Sequence, residues 1–284
     1  MANPTMVAAR AGWTRGVIEL RQTFTNGQDL FGQLFWPAAM LVTMYFMRDA
    51  ELGSSGLMLG TVVLPSILGM NVAFNGLLGM SQLLAVERED GTLLRAKATP
   101  NGMLGYLIGK IVTVSGGLIA GLLIVLLPGS LIVDGLDAGS PASWAILLAV
   151  VVLGLVATLP IGAILGAVVA SPRSLGLITL PIVGLVAISG IFYPITGMPD
   201  WLQWVGQVFP IYWLGLGMRS ALLPDGAVVV ELGQSWRHLE TFGVLGAWAV
   251  LGLLLAPAVL RRMARRESGS SVAERREKAM QRVG

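Results

Sequence analysis

The 284-residue sequence contains no cysteine and a single histidine, His238. Without cysteine the chain forms no disulfide and holds no iron–sulfur cluster or thiolate-bound metal. One histidine also excludes a histidine-cluster metal site and a histidine-based catalytic triad within one chain. The composition therefore excludes several common classes of metalloprotein and hydrolase.

Charge is scarce as well. Asp, Glu, Lys and Arg make up only 12% of the residues, whereas 55% are hydrophobic. The mean hydropathy is +0.75. A soluble domain of this length does not hide so much apolar surface, so the composition indicates a membrane protein.

Six segments are apolar over roughly the 20 residues that a helix needs to cross a bilayer. They cover about residues 30–47, 57–85, 103–133, 144–170, 175–193 and 242–260. The sequence therefore predicts an all-α membrane protein whose transmembrane domain of six helices covers residues 30–260.

Residues 1–29 are too polar to span a membrane, and they lack the apolar core and cleavage site of a secretory signal. Trp13, Val17, Leu20 and Phe24 fall on one stripe of a helix. The pattern predicts an amphipathic helix that lies in the membrane interface. An ordinary amphipathic helix packed on protein is the alternative.

Lysine and arginine are distributed unevenly around the predicted spans. Sixteen of the nineteen fall on one side, and only Arg48, Arg219 and Arg237 fall on the other. Because basic loops stay in the cytoplasm, both termini are predicted to be cytoplasmic. Residues 261–284 form a basic tail there that is attracted to anionic lipid, and nothing aromatic in it supports nucleic-acid binding.

The segment 197–237 is predicted to face outward. It brings prolines, aromatic residues and apolar residues together at 198–205 and again at 209–213. This composition is typical of short helices in the outer interface. Backbone that dips into a membrane without spanning it needs shielding by protein or water.

A charged island, residues 87–100, lies between the second and third predicted spans. It reads Glu-Arg-Glu-Asp-Gly-Thr-Leu-Leu-Arg-Ala-Lys-Ala-Thr-Pro. Leu93, Leu94 and Ala98 give its second half a short helical pattern, and Pro100 ends that pattern. The island therefore predicts a short surface helix between two membrane spans.

The island resembles the cytoplasmic coupling segment of type-2 ABC exporter permeases. The shared features are Glu-Arg-Glu-x-Gly-Thr-Leu, the following Thr-Pro, and Gly109-Lys110-Ile111 on the next span. Drug and antibiotic efflux permeases of the daunorubicin-resistance kind are similar in particular. The chain departs from the common pattern at Leu94, where glutamate is frequent, and at residues 96–98, where many members carry a leucine.

The resemblance extends to other parts of the chain. Gly190 to Pro194 and Phe209-Pro210 occupy the places where such exporters have a Gly-x-Phe/x-x-Pro stretch and a re-entrant hairpin. The resemblance also implies that residues 1–29 form an elbow helix.

The resemblance implies that a separate ATPase subunit docks on the island. Glu87, Glu89 and Arg95 are expected to supply or orient polar contacts, and Leu93 and Leu94 to occupy an apolar groove on the ATPase. The predicted ATPase-coupling residues are Glu87, Arg88, Glu89, Gly91, Thr92, Leu93, Leu94, Arg95, Thr99 and Pro100.

The chain itself is not predicted to bind ATP or to be an enzyme. Residues 105–111 look like a phosphate-binding loop but have one residue too few between the glycines and no Ser or Thr after Lys110. ATP and Mg²⁺ would therefore be bound by the partner subunit. Lys110 is expected to snorkel towards the lipid headgroups.

Two polar residues interrupt the second predicted span. Asn71 and Asn75 are four residues apart and share a helical face. They either line a substrate path, to which Phe192 and Tyr193 are also candidates, or form ordinary interhelical hydrogen bonds. No acidic residue falls within the predicted spans, which counts against a proton-driven carrier.

These observations favour the permease subunit of an ATP-driven exporter of amphipathic drug-, antibiotic- or lipid-like substrates in the plasma membrane. Two permease chains, most simply a homodimer, would each bind one ATPase subunit. The alternatives are an exporter of polysaccharide or lipid-linked glycan from the same family, a secondary transporter, and a membrane scaffold or enzyme that transports nothing.

Overall fold

The computed structural model describes residues 3–51, 56–137, 139–168 and 176–266. The described residues form helices and turns, with one isolated β-bridge between Glu51 and Met58, which confirms the predicted all-α class. In chain order the helices are α1 Pro4–Thr25, α2 Gly27–Met47, α3 Leu59–Phe74, α4 Met80–Glu89, α5 Thr92–Lys97, α6 Gly102–Ile132, α7 Pro141–Val168, α8 Gly176–Ala187, α9 Asp200–Val208, α10 Pro210–Leu222 and α11 His238–Arg266.

Five helical segments among the described residues are long and apolar enough to cross a membrane. They are Leu30–Met47, Leu59–Glu89, Gly102–Ile132, Pro141–Val168 and His238–Arg265. Each coincides with a predicted span, although several extend beyond the predicted ends. The basic tail from residue 267 onward and the predicted polar break at 171–173 lie outside the described residues.

The predicted fifth span, residues 175–193, is not a continuous helix. Its described helical part is α8, which has 12 residues, spans about 18 Å and ends at Ala187, six residues before the predicted end of the span. After α8 the chain turns at Gly190, which has a φ of +68°. That left-handed conformation favours glycine and cannot continue an α-helix.

The second span is longer than predicted. A π-turn, Asn75–Gly79, joins α3 to α4, and the helix continues past Ala85 to Glu89. Glu87 and Glu89 therefore lie on the spanning helix and not on the short surface helix. This corrects the expectation that the spans contain no acidic residue.

Helices α9 and α10 form a hairpin, and α10 lies at the centre of the fold. Every residue from Pro210 to Arg219 is buried, and α10 packs between α3 and α7. The chain reverses at Phe209, next to Val208, whose carbonyl accepts a 2.8 Å hydrogen bond from Trp248 Nε1. Trp248 lies ten residues into α11, so the hairpin tip reaches about 15 Å along that helix.

Helix α1 runs alongside the first half of α6. A Cβ added at Gly12 would lie 2.2 Å from the Gly105 carbonyl oxygen, and one at Gly16 would lie 2.6 Å from that of Gly109. These glycines allow the two backbones to touch. Trp13 remains 61% exposed, so α1 has one face packed on protein and an apolar face left open. The helix is therefore packed on protein along one face, and its position in the membrane interface stays a prediction.

Candidate coupling site and polar face

Helix α5 is anchored to the rest of the chain by its inner face. Gly91 turns the chain with a φ of +80°, and the Asp90 carboxylate accepts a 2.7 Å hydrogen bond from the Thr92 amide at the start of the helix. Leu93 is 1% exposed and Ala96 is also buried. The island thus forms a short helix whose apolar side is seated in this chain's own core.

This burial corrects the contact expected for Leu93. Its side chain is in the core of the protomer and is not presented to a groove on another protein. Leu94 is half-buried. The Arg95 guanidinium is exposed and donates through Nη2 to Thr92 Oγ1 at 2.8 Å. The outer face of the segment consists of the exposed residues Asp90, Arg95, Lys97, Ala98, Thr99 and Pro100.

A buried ion network lies behind α5. The Lys110 ammonium group on α6 is 2.5 Å from Glu87 Oε1 on α4 and 2.6 Å from Glu19 Oε2 on α1. Lys110 is 2% exposed, so it does not snorkel to lipid headgroups as expected. A buried charge is tolerated when it is paired, and here the paired charges connect three helices.

The network continues from Glu19 to the surface. Glu19 Oε1 accepts a 2.8 Å hydrogen bond from Arg15 Nε one turn earlier, and its Oε2 accepts a 3.2 Å hydrogen bond from Thr113 Oγ1. Burial alone would raise the pKa of Glu19, but hydrogen bonds from Lys110 and Arg15 outweigh it and lower that pKa. Arg15, Glu19, Lys110 and Glu87 together carry no net charge.

Arg88 connects the same region to the end of α7. Its Nη1 atom donates to the carbonyl oxygens of Ala167 at 3.0 Å and Gly166 at 3.4 Å. A cation beside the carbonyl oxygens at the C-terminal part of a helix is favourable because it meets the negative end of the helix dipole. Glu89 is half-buried. Among the predicted coupling residues, Glu87 and Arg88 therefore make contacts inside the chain.

The two asparagines of the second span form a partly exposed polar face. Asn71 and Asn75 are half-buried, and Gln82 on α4 is exposed. The amide of Asn71 donates to the Ile67 carbonyl at 3.2 Å, and that of Asn75 donates to the Asn71 carbonyl at 3.0 Å. These hydrogen bonds lie within one helix, in contrast to the interhelical bonds weighed above.

Phe192 and Tyr193 lie in the turn after α8 and are 50% and 45% exposed. The Tyr193 hydroxyl donates to the Ala187 carbonyl at the end of α8. Both residues line a small cleft together with Val62 near the start of α3. Because Val62 is nine residues before Asn71, the pair is separated from the asparagines by about 14 Å along the helix.

A second buried ion pair was not recognised from the sequence. Arg219 on α10 and Glu231 are 2% and 5% exposed, and Arg219 Nε lies 2.6 Å from Glu231 Oε1. Arg219 Nη1 also donates to Ser66 Oγ on α3 at 2.9 Å. The available signal was a lone arginine within the otherwise apolar stretch 209–223.

The sequence predicted that Lys110 contacts lipid headgroups, and it did not reveal the ion pairs with Glu19 and Glu87. The available signal was the position of a lysine inside an apolar run, with Glu19 and Glu87 as the acids beside neighbouring apolar segments. The pairing itself depends on how α1, α4 and α6 pack against one another.

Comparison with known proteins gives one clear match. The sequence pattern of the family described as ABC-2 family transporter protein matches residues 42–257, which is most of the chain. No curated protein matches it. The matched range includes four of the five long apolar segments nearly in full, but only the last six residues of Leu30–Met47, and it stops before the end of α11. The chain therefore belongs to the ABC-2 transporter family, as a multi-pass membrane permease of the type-2 ABC kind.

Proposed function

We propose that the chain is the membrane subunit of an exporter in the plasma membrane, driven by a separate ATPase subunit that binds ATP and Mg²⁺. The observation that carries this proposal is the construction of α5. Its inner face is fixed by Leu93 and Ala96, while Arg95 and the residues up to Pro100 are exposed. A short helix that is fixed to two spanning segments and exposed on its other side can be displaced by a docked ATPase. Its displacement would then move the two spanning segments.

The ion network supports the same role. Lys110 joins α4, which precedes α5, to α6, which follows it, and to α1. A movement of α5 would therefore displace α1, α4 and α6 together. With the predicted orientation, this end of the bundle is cytoplasmic, where an ATPase has access to ATP.

The polar face of the second span supports pairing of two chains. Asn71, Asn75 and Gln82 are at least partly exposed in a single chain. Polar side chains at membrane depth generally face protein or a water-filled cavity and not lipid. A second copy of the chain would enclose this face, which gives a homodimer with a substrate path between the copies and one ATPase subunit on each.

The substrate class we favour is amphipathic and drug-, antibiotic- or lipid-like. The largely apolar surroundings of the second span suit such a compound better than a polysaccharide, which needs many hydrogen-bond partners. A proton-driven carrier is less favoured because the buried acids Glu87 and Glu231 are each held by a cation. A carrier would need a carboxylate that can gain and lose protons during transport.

The test is purification of the full chain from its native membrane, followed by mass measurement and an assay of Mg²⁺-dependent ATP hydrolysis. We expect two permease chains with two ATPase subunits. Arg95→Glu should weaken ATPase retention or uncouple hydrolysis from export, while Arg275→Glu in the tail should do neither. A stable monomer without ATPase activity, or equal and negligible effects of both variants, would overturn the proposal.

A further inference from the structure

An apolar cavity of about 280 Å³ lies beside the tip of the α9–α10 hairpin. Its walls include Leu77 in the π-turn, Leu165 on α7, Leu185 on α8, Pro210 at the hairpin tip and Trp248 on α11. Among the described residues, those that line it carry no charged side chain. The indole Nε1 of Trp248 is already bonded to the Val208 carbonyl, so the wall offers no free donor there.

The cavity exists because three interruptions of regular structure meet. The second span contains the π-turn Asn75–Gly79, the chain reverses at Phe209, and α8 ends at Ala187, two residues after the lining residue Leu185. The cavity lies between α8, α7 and α11 at this level.

The position of the cavity places it at the depth of lipid tails. Trp248 lies about 15 Å from the start of α11, half of the roughly 30 Å hydrocarbon core. Leu77 lies near the middle of Leu59–Glu89. Leu177, which also lines the cavity, is 76% exposed. The cavity therefore extends to a residue on the exposed surface of α8, which faces hydrocarbon at this depth.

We propose that this cavity holds one acyl chain of a bilayer lipid, which enters past α8 and fills the space below the hairpin tip. Water is excluded because apolar cavities stay dry; a cavity of roughly 150 Å³ with similar walls takes up benzene instead. The described lining residues offer no charged partner to a charged or strongly polar ligand at this depth. A lipid tail matches the lining, the depth and the opening, and it would support α8 against the hairpin.

The test uses the full chain in lipid nanodiscs that contain phosphatidylcholine with a photoreactive diazirine in the middle of one acyl chain. After illumination, adducts are mapped by peptide mass spectrometry. We expect adducts on the cavity-facing peptides of α8 and on the Trp248 peptide. Leu165→Trp fills the cavity from the α7 wall and should remove most of these adducts. Leu254→Trp, on a position of α11 that is 71% exposed, should leave them in place.

Two further measurements test the proposal on the unmodified chain and do not depend on the folding of Leu165→Trp. Replacing choline by glycerol in the headgroup should leave cavity labelling of the unmodified chain nearly unchanged, because the site contacts only the tail. Native mass spectrometry should find one lipid per chain that survives detergent washing. Labelling spread evenly over all exposed helix faces, a strong dependence on the headgroup, or no retained lipid would each overturn the assignment.

Discussion

Arg219 and Glu231 form a two-point ion pair inside the protein. Arg219 Nε lies 2.6 Å from Glu231 Oε1, and its Nη2 lies 3.2 Å from Oε2. The same guanidinium reaches Ser66 on α3 and the carbonyl of Gly190 after α8. One side chain of the hairpin thus connects the second span, the turn after α8 and the segment that leads into α11.

Removing one partner of this pair should destabilise the folded protein, because the other charge stays buried without a counter-ion. We expect Arg219→Met to lower the free energy of unfolding by about 3–5 kcal/mol. The double variant Arg219→Met with Glu231→Leu should recover much of that loss, because it leaves no uncompensated carboxylate. Thermal unfolding in detergent gives the comparison.

Arg48→Met serves as the control for this pair. Arg48 is 3.4 Å from Asp49, and both side chains are exposed, so the loss should stay below about 1 kcal/mol. If the double variant were as unstable as the sum of its single variants, the two charges would not be coupled and the pair would contribute by packing alone.

The buried ion pairs of Lys110 and Arg219 could not be predicted from the sequence. Hydropathy located five long helices because a spanning helix needs a continuous apolar run. It did not reveal that Lys110 contacts Glu19, 91 residues away in the chain. Such pairings depend on helix packing, and a single sequence carries no record of it.

The end of α8 shows a second limit of sequence reasoning. Residues 175–193 are apolar enough for a span, but hydropathy does not indicate where a helix stops. Gly190, with its left-handed φ, and the following Pro194 define that turn. Similarly, the pattern of α5 predicted a short helix, but which of its leucines faces inward depended on the position of the core.

Lys110 should be needed to hold α1 and α4 to α6. Lys110→Met leaves Glu19 and Glu87 without their shared cation, which should release α1 and make it sensitive to protease. Adding Glu87→Gln should restore part of the protection, because it neutralises the carboxylate that has lost its cation, while Glu19 keeps its ion pair with Arg15. Arg21→Gln, an exposed position on the same helix, is the control. Equal protease resistance of Lys110→Met and the unmodified chain would contradict the role of the network.

Close packing of α1 on α6 predicts opposite effects of the same substitution at two glycines. In an open helical position, Gly→Ala stabilises by roughly 0.5–1 kcal/mol. Gly246→Ala on α11 meets no atom within 4 Å and should follow this rule. Gly12→Ala would place its methyl group 2.2 Å from the Gly105 carbonyl oxygen and should destabilise the protein.

Unfolding midpoints of the two glycine variants, measured in the same detergent, provide the comparison. A stabilising effect of Gly12→Ala would mean that α1 is free to move away from α6.

The Glu19 carboxylate should make stability depend on pH in the acid range. Its pKa in the folded state is lowered by Lys110 and Arg15. Its contribution is therefore fully present above the ordinary glutamate pKa of about 4.3, and it is lost as the pH falls through the lowered folded-state pKa. The difference in unfolding midpoint between the unmodified chain and Glu19→Gln should be constant near neutrality and shrink only in acid. If the difference in unfolding midpoint instead grew as the pH fell, the folded-state pKa of Glu19 would not be lowered.

The polar face of the second span gives the last prediction, which rests on the proposed substrate path. Asn71 and Asn75 already satisfy their amide N–H groups through carbonyls of their own helix, so replacing both with leucine removes few contacts that stabilise the fold. If the face lines the path, Asn71→Leu with Asn75→Leu should lower export and substrate-stimulated ATP hydrolysis while basal hydrolysis is kept.

Thr43→Leu is the matched control for this variant. Thr43 on α2 is exposed and donates to the Ala39 carbonyl four residues earlier, so it is also a polar side chain bonded to its own helix. It should leave export unchanged, because Thr43 is a single polar residue whose neighbours one turn away, Ala39 and Met47, are apolar. If the asparagine variant exports as well as the control does, the face serves packing between copies of the chain and not the passage of substrate.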